Sequence, residues 1–493
     1  MEDDRKSYSV DDALSALGFG KFQVLVLMYA GMGWISEAME MMLLSFVGPA
    51  VQSLWDLSSQ QESFITSVVF AGMMLGAYSW GVVSDIYGRR KGFLITALIT
   101  SSAGFLSAFS PNLYVLIIFR GLVGIGLGGG PVLSSWFLEF IPASERGAWM
   151  VVFSSFWTLG TVLEASIAWF VMPRLGWRWL LALSALPSSL LLLLYRVTPE
   201  SPRYLSMVGR KSDALAILEK IARVNGRKLP SGVLVTDNNV ELEDKSSESE
   251  DTKLIPSSKN DPDVGSRKSG ISLLIMLLSP ELVRSTLLLW MVFFGNAFAY
   301  YGLVLLTTEL NNKHNRCEQK GSHSVNQQEV NYQDIFITSF AEFPGLLLSA
   351  ATVDKVGRKV SMAAMFFFCF VFLMPLVVEQ PQSITTCLLF GARVCITGTF
   401  TIVYIYAPEL YPTSVRTTGV GVASSVGRIG GMICPLVAVG LVHGCKQNTA
   451  VFLFESIVFV SGICVYLLPF ETRGLELSNN VSSSKHNHLD VSL

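Results

Sequence analysis

Apolar runs of roughly 20 residues recur along the chain, broken by short polar loops. A helix of that length crosses the hydrocarbon core of a bilayer, so each run predicts a membrane-spanning helix. Twelve are predicted. The first six are Phe22–Val47, Phe64–Val83, Gly92–Phe109, Leu113–Phe137, Trp149–Met172 and Trp179–Tyr195. After a polar gap come Thr286–Thr307, Ile335–Val353, Val360–Val378, Ile384–Tyr406, Thr418–Val442 and Ala450–Leu468. Two shorter patterns lie outside them. Val10–Leu17 is amphipathic and is expected as a short helix on the membrane surface, and Lys211–Val224 has helical periodicity. From Asn238 to Lys268 the chain is rich in Ser, Asp, Glu and Lys, a composition that cannot bury a core and reads as a disordered linker. The expected division is a segment 1–21, a six-helix bundle 22–205, a linker 206–283, a second six-helix bundle 284–478 and a tail 479–493.

Composition agrees with an all-α polytopic membrane protein. Hydrophobic residues make up 51% and charged residues 15%, where soluble domains carry about a quarter charged. The first twenty residues have no apolar core, so no cleavable signal peptide is expected and the first span serves as its own insertion signal. Arg89, Arg90, Lys91, Arg146, Lys355, Arg358, Lys359, Arg416 and Arg473 all fall on one side. Positive charge stays inside, which predicts two cytoplasmic termini. Arg174, Arg178, Lys313, Arg316, Lys320 and Lys446 are scattered on the other side. With no sorting signal evident, the plasma membrane is the expected location. All seven cysteines lie in the second half; five sit in spans, and Cys317 and Cys445 fall in outer loops, where a disulfide between them can persist.

The chain also repeats itself. Gly81-Val82-Val83-Ser84-Asp85-Ile86-Tyr87-Gly88-Arg89-Arg90-Lys91 is echoed by Asp354-Lys355-Val356-Gly357-Arg358-Lys359. Glu139-x-x-Pro142-x-x-x-Arg146 is echoed by Glu409-x-x-Pro412-x-x-x-Arg416, and the two Asp-to-Glu intervals differ by one residue. Matched spacing of two motif types means an internal duplication. At the basic end, Asp85 and Asp354 are expected near the N-terminus of a neighbouring helix, where the dipole favours a carboxylate. Gly81 is expected to allow close helix approach. Contacts of this kind can form and break as gates; setting topology by basic residues alone is the plainer alternative.

Ionisable groups inside spans cost about 2.5–3.5 kcal/mol each on insertion scales, so they are usually functional or paired. Here they are Glu37, Glu40, Arg120, Glu164, Glu342, Arg393 and Arg428. At 1.5 Å rise per residue, Glu40 and Arg120 each lie about 10 Å from the outer ends of their spans, a depth that suits an ion pair. Glu37 and Glu40, three apart, share a helix face, and with Arg120 they could load and release a proton. A static Glu–Arg lock between two helices is the other reading. The glycine-rich run Arg120–Pro131 follows no strand and lies inside an apolar span, so it is no nucleotide loop. Neither HExxH nor GxSxG occurs; an enzyme, a metal site and a cofactor are not expected.

Gly81–Lys91 resembles the loop motif of the major facilitator superfamily. Arg120-Gly121-x-x-Gly124-x-Gly126, Glu139-x-x-Pro142-x-x-x-Arg146-Gly147, Pro199-Glu200-Ser201-Pro202-Arg203 and Pro469-Phe470-Glu471-Thr472-Arg473-Gly474 resemble motifs of its sugar-porter and organic-ion branches. Ile86 departs from the pattern, where the family often has a basic residue. Val10-Asp11-Asp12-Ala13-Leu14-x-x-Leu17-Gly18-Phe19-Gly20 with Glu37-Ala38-Met39-Glu40 is similar to the synaptic-vesicle-protein-related and nicotinate-transporter subgroup, which includes plant organic cation and carnitine carriers. The resemblance implies the major facilitator fold, a central site and alternating access. It also implies gating roles for the motif residues, among them Gly88, Glu200, Arg203, Glu471 and Arg473.

For the substrate, Ser424–Pro435 resembles the eleventh span of organic-ion carriers, and anion carriers tend to have Arg where Arg428 stands. Arg428 lies near the midplane, where it could pair a carboxylate, and Arg393 is a second candidate. Trp157, Tyr300 and Tyr301 could stack on a flat ring. Nicotinate fits an Arg with aromatic neighbours, whereas carnitine could use an Arg with Glu342 or Glu164. A sugar would want more amides than Asn296 and its few companions. The expected partners are a small organic ion, protons and the lipid bilayer, with no nucleic acid and the chain acting as a monomer. A non-transporting sensor or trafficking protein on the same fold is the competing class.

Overall fold

The computed structural model describes residues 7–142, 145–235, 275–280, 282–318, 332–353, 355–378, 380–411, 416–443 and 447–472; for residues 85, 147, 197, 309, 311–318, 332, 416, 417 and 443 only the backbone is described. Asp354, Cys445, Arg473, most of the expected linker and the expected tail therefore lie outside the described residues, as do the side chains of Asp85, Cys317 and Arg416.

The chain begins with strand β1 (Ser7–Tyr8) and helix α1 (Val10–Leu17). The first half follows as α2 (Lys21–Trp55), α3 (Ser59–Tyr87), α4 (Arg89–Ser107), α5 (Leu113–Leu127) with α6 (Gly130–Leu138), α7 (Arg146–Leu175), and α8 (Trp177–Ser184) with α9 (Leu186–Leu194). Two of its spans are split. Pro131 and Pro187 sit in the first turns of α6 and α9, where a missing N–H costs nothing, so each proline ends one helix and starts the next. Then come α10 (Pro202–Met207), α11 (Lys211–Asn225) and strand β2 (Val233–Leu234). The second half is α12 (Val283–Glu318), α13 (Tyr332–Phe340) with α14 (Glu342–Val353), α15 (Arg358–Leu373), α16 (Gln382–Leu410), α17 (Arg416–His443) and α18 (Gln447–Leu467).

Among the described residues, eleven segments are long and apolar enough to cross a membrane. Helix α4 opens on Arg89-Arg90-Lys91, which lowers its hydropathy. Its 19 residues still reach about 28 Å, and it packs against α5 and α9 within the first half. The molecule is thus an all-α polytopic membrane protein, and with α4 its spans are consistent with the twelve expected in two six-helix halves.

The apolar face of helix α1, expected on lipid, packs on protein. Val10, Ala13, Leu14 and Leu17 are buried in one cluster with Ala214, Leu218 and Ile221 of α11. An apolar stripe suits lipid or protein equally, and two tethers decide the matter. β1 pairs in parallel with β2. The Asp11 carboxylate accepts from Arg146 at 3.3 Å and also from Arg203. Part of the segment read as linker is therefore folded onto the first half. Burial first, then the neighbouring Arg203, lowers the Arg146 pKa, and Asp11 offsets both. Because this bridge is half-exposed, Asp11→Asn is expected to cost only about 1 kcal/mol. Faster amide hydrogen exchange confined to residues 7–18 and 211–225 checks it; unchanged protection there would show that the apolar contacts alone hold the strap.

The halves meet away from the basic motifs. In the far part of α3, Ser63 donates to the Pro435 carbonyl at 3.1 Å and Ser67 to the Met432 carbonyl at 2.8 Å, both on α17. Trp169 of α7 packs on Phe336 of α13 with ring centroids 5.7 Å apart. One apolar cluster holds Val47 and Ala165 of the first half with Val304 and Ile335 of the second. Each half also keeps an apolar cluster of its own.

Candidate functional site: buried charge pairs between and within two halves

At the basic end the duplicated motifs build the same device twice. Arg89 pairs with Glu139 at 3.1 Å, and Arg358 with Glu409 at 3.2 Å. Glu200 accepts from the Arg90 amide at 3.1 Å, at the N-terminus of α4. Glu471 accepts from the amides of Arg358 and Lys359 at 2.7 and 2.9 Å, at the N-terminus of α15. These carboxylates, rather than the expected Asp85 and Asp354, are the ones described on the two helix dipoles. Gly88 and Gly357 have φ of 102° and 111°, and a Cβ on either would strike the capping carboxylate, so glycine is needed on both counts. Burial pushes the Glu200 carboxyl up, while the amides of Arg90 and Ser201 hold it down. Each of these contacts joins helices of one half. Gly81 has no close-approach role: a Cβ there would meet nothing within 4 Å. The close approach on α3 is at Gly72 and Gly76, whose added Cβ atoms would strike the α5 backbone near Gly121 and Ile125. Ile86 is exposed, and its carbonyl accepts from the Tyr204 hydroxyl at 2.9 Å.

Inside the first half, Arg120 Nη1 donates to Glu40 Oε2 at 2.8 Å, both side chains fully enclosed. Arg120 Nε and Nη2 donate to Ser107 Oγ at 3.2 and 3.0 Å. Glu37, one turn back on α2, takes no part in that pair. It lines a cavity of about 40 Å³ with Ser36, Thr96, Thr100 and Ser188, room for a water or two. Its carboxylate lies against Gly130 and within electrostatic reach of Arg428 in the other half. Glu164, a substrate candidate by sequence, lies instead 2.8 Å from Ser184 Oγ, within electrostatic reach of Glu40 and Arg120.

Between the halves, four candidates converge. Arg393 Nη2 donates to Glu342 Oε1 at 2.9 Å, both buried. Tyr300 donates to the same oxygen at 2.7 Å, and Trp157 Nε1 of the first half donates to the Tyr300 hydroxyl at 2.8 Å. Thr161, also of the first half, donates to Glu342 Oε2 at 3.1 Å. Tyr301 packs edge-on against Phe70 with centroids 4.7 Å apart. Asn296 is turned into the second half, accepting from Thr399 at 2.6 Å. Arg428 is half-buried, and its Nη1 is buried without a hydrogen-bond partner among the described residues.

A profile of the sugar (and other) transporter family matches residues 29–480. The chain belongs to that family, a branch of the major facilitator superfamily. Its members are multi-pass membrane transporters, not enzymes. The chain is 66% identical to organic cation/carnitine transporter 7 of Arabidopsis thaliana over 98% of its own length and 99% of the relative's. It is 39% identical to the synaptic vesicle 2-related protein of Xenopus laevis, covering 96% of this chain and 83% of the relative. Its fold matches the inward-open xylose transporter XylE of Escherichia coli with a TM-score of 0.69 at 16% identity, over 94% of this chain and 99% of the other.

In this sugar-transporter-family chain the structure thus brings together Glu40 with Arg120, as depth suggested, and Trp157, Tyr300, Glu342 and Arg393 in one network. It separates Glu37 from the Glu40 pair, and Glu164 and Asn296 from the inter-half face. Sequence reasoning missed Asp11, Ser107, Thr161 and Ser184, because hydroxyls and a surface aspartate carry no signal in one dimension. It also missed two buried acids, Glu62 and Glu455. Glu455 is visible as an acid within the last apolar run; Glu62 falls just outside one.

Proposed function

We propose that this chain is a secondary active carrier that moves small organic ions by alternating access, driven by protons, with nicotinate or a related organic anion as its substrate. The observation that carries this reading is Arg428: a guanidinium nitrogen buried without a partner among the described residues, on the inter-half face, near Tyr301 and opposite Glu37. A buried guanidinium N–H without an acceptor is costly, and a substrate carboxylate would satisfy it. Trp157, Tyr300 and Tyr301 would flank the ring, and Arg393 with Glu342 would close the site from the far end. Glu37, Glu40 and Arg120 would carry the proton step. Residues 22–205 and 284–478 would rock as two bodies, with the Arg89–Glu139–Glu200 and Arg358–Glu409–Glu471 devices, Arg146, Arg203 and Arg416 stiffening the gate between them. We place the basic end and both termini in the cytoplasm, the protein in the plasma membrane, and read it as a monomer.

A second substrate reading, an organic cation or carnitine, is favoured by the name of the 66% identical relative. Carnitine bears both charges, and the Glu342–Arg393 pair offers one partner to each. Uptake of labelled nicotinate and carnitine by proteoliposomes, with and without an inward proton gradient, separates the readings. Arg428→Ala is expected to remove a charged hydrogen bond worth about 1.5–3 kcal/mol, a roughly ten- to hundredfold rise in KM for nicotinate. Entry of carnitine alone would favour the second reading. Entry of neither, by folded protein, would put the non-transporting class first.

A further inference from the structure

Two acids and one base lie within electrostatic reach of one another in the first half, with almost no accessible surface: Glu40 and Glu164 are 0% exposed and Arg120 is 1% exposed. Glu40 Oε1 and the Ala185 side chain both border Gly104, and Ala185 follows Ser184, the partner of Glu164. The charged groups nearby do not balance them. Glu37 faces the cavity one turn away. Arg428 reaches toward Glu37 from the other half, and Arg178, at the start of α8, donates to the Ser110 carbonyl. Among the described residues, the hydrogen-bond partners that α4 and α8 give Arg120 and Glu164 are the hydroxyls of Ser107 and Ser184. With both carboxyls ionised the site would hold an uncompensated buried negative charge, which is costly in a membrane interior. One proton removes it.

The partners of the two acids say which one holds that proton. Ser184 Oγ lies 2.8 Å from the Leu180 carbonyl and 2.8 and 2.9 Å from the two oxygens of Glu164. A serine has a single proton to give, so it can serve the carbonyl or Glu164, and one neutral hydroxyl does not compensate a buried carboxylate. A protonated Glu164 can donate to Ser184 and leave the serine proton to the carbonyl one turn back. Glu40, by contrast, has Oε2 on the Arg120 guanidinium and needs its charge, while its Oε1 is buried without a partner among the described residues.

We propose that Glu164 is a proton-carrying residue of this transporter: a carboxylic acid donating to Ser184 in this state, it passes its proton to Glu40 during turnover and takes over as counter-ion to Arg120. The step balances. The Glu164 O–H breaks, an O–H forms on Glu40, and the site keeps one negative and one positive charge. Arg120 is then released from Glu40 without ever being left unpaired. This assignment rests on the proton-driven reading above and extends it to a residue on α7.

Infrared spectroscopy of the purified full-length protein in lipid tests it. The carbonyl stretch of buried, protonated carboxylic acids is expected in the parent protein, shifting in heavy water. Glu37, Glu62 and Glu455 are buried acids too, so the reading is the difference between parent and variant spectra. Glu164→Gln, which keeps the shape, is expected to remove one component of the band, and Glu164→Asp to keep a component. Glu40→Gln is expected to remove the same component, because Glu164 then faces Arg120 one to one and ionises. A Glu164→Gln spectrum that loses no component overturns the proposal, as does a Glu40→Gln spectrum that keeps the component lost in Glu164→Gln. In vesicles, a proton gradient should no longer raise substrate accumulation by Glu164→Gln; an undiminished response also overturns it. If the parent's own uptake ignores the gradient, the proton-driven reading falls, while the infrared band still decides where the proton sits.

Discussion

Arg120→Met is expected to destabilise the first half by about 3–5 kcal/mol, the usual effect of removing one partner from a buried ion pair. Most of that cost comes from the Glu40 charge, which stays buried with nothing to neutralise it. Glu40 and Ser107 both face the Arg120 guanidinium, and neither has water to turn to. The double variant Glu40→Gln with Arg120→Met should recover much of the stability, since it leaves no ionised group in the Glu40 position. Thermal unfolding of the purified variants measures both, and a double-mutant cycle extracts the coupling. Additive effects would mean that the pair does not interact energetically, and the buried-pair account of the first half would fail. A structural lock and a proton device both predict this coupling, so it tests the geometry and leaves the infrared and gradient measurements to test the proton.

The second large effect concerns the contact between the halves. Thr161→Val combined with Trp157→Phe removes the two hydrogen bonds that cross from α7 to Glu342 and Tyr300, leaving the Glu342–Arg393 pair intact. At about 1 kcal/mol for the neutral bond to Tyr300 and about 1.5–3 kcal/mol for the one to the Glu342 carboxylate, the closed far end should lose roughly 2.5–4 kcal/mol relative to its open form, on the order of a hundredfold shift in population or more. Spin labels on the far ends of α7 and α13, whose rings meet at Trp169 and Phe336, report that separation. A longer-distance population in the double variant is the expected result. An unchanged distance distribution would mean that the serine bonds and apolar contacts of α3 on α17 hold the far end without help from Glu342. By the same reasoning Gly76→Val, which drives a side chain into the backbone of α5 beside Ile125, should destabilise the first half by about 1–3 kcal/mol or more, because a backbone cannot step aside.

The amino-acid sequence alone was enough for the class of molecule and for the pairing of Glu40 with Arg120 by height. A bilayer leaves helices as the way to satisfy this backbone, so runs of apolar residues map onto spans with little ambiguity. Rise per residue is constant, so Glu40 and Arg120 could be matched by height. The duplicated Gly-Arg and Glu-x-x-Pro motifs, read as a repeat, proved to be two copies of one arrangement of arginine, glutamate and capping carboxylate. What the sequence could not carry is direction around each helix axis and the identity of the neighbour met there. Glu37 and Glu40 are one turn apart, yet one faces a polar cavity and the other an arginine. Glu164 and Arg393 each looked like a free charge for a substrate. Packing gave Arg393 to Glu342 and Glu164 to Ser184. Gly81 and Gly76 look alike on paper, and only Gly76 touches another helix. The same holds for α1, whose apolar stripe would suit lipid as well as α11. Rotation and partnership depend on how side chains from distant parts of the chain fill one another's spaces, and that information exists only once the helices are assembled.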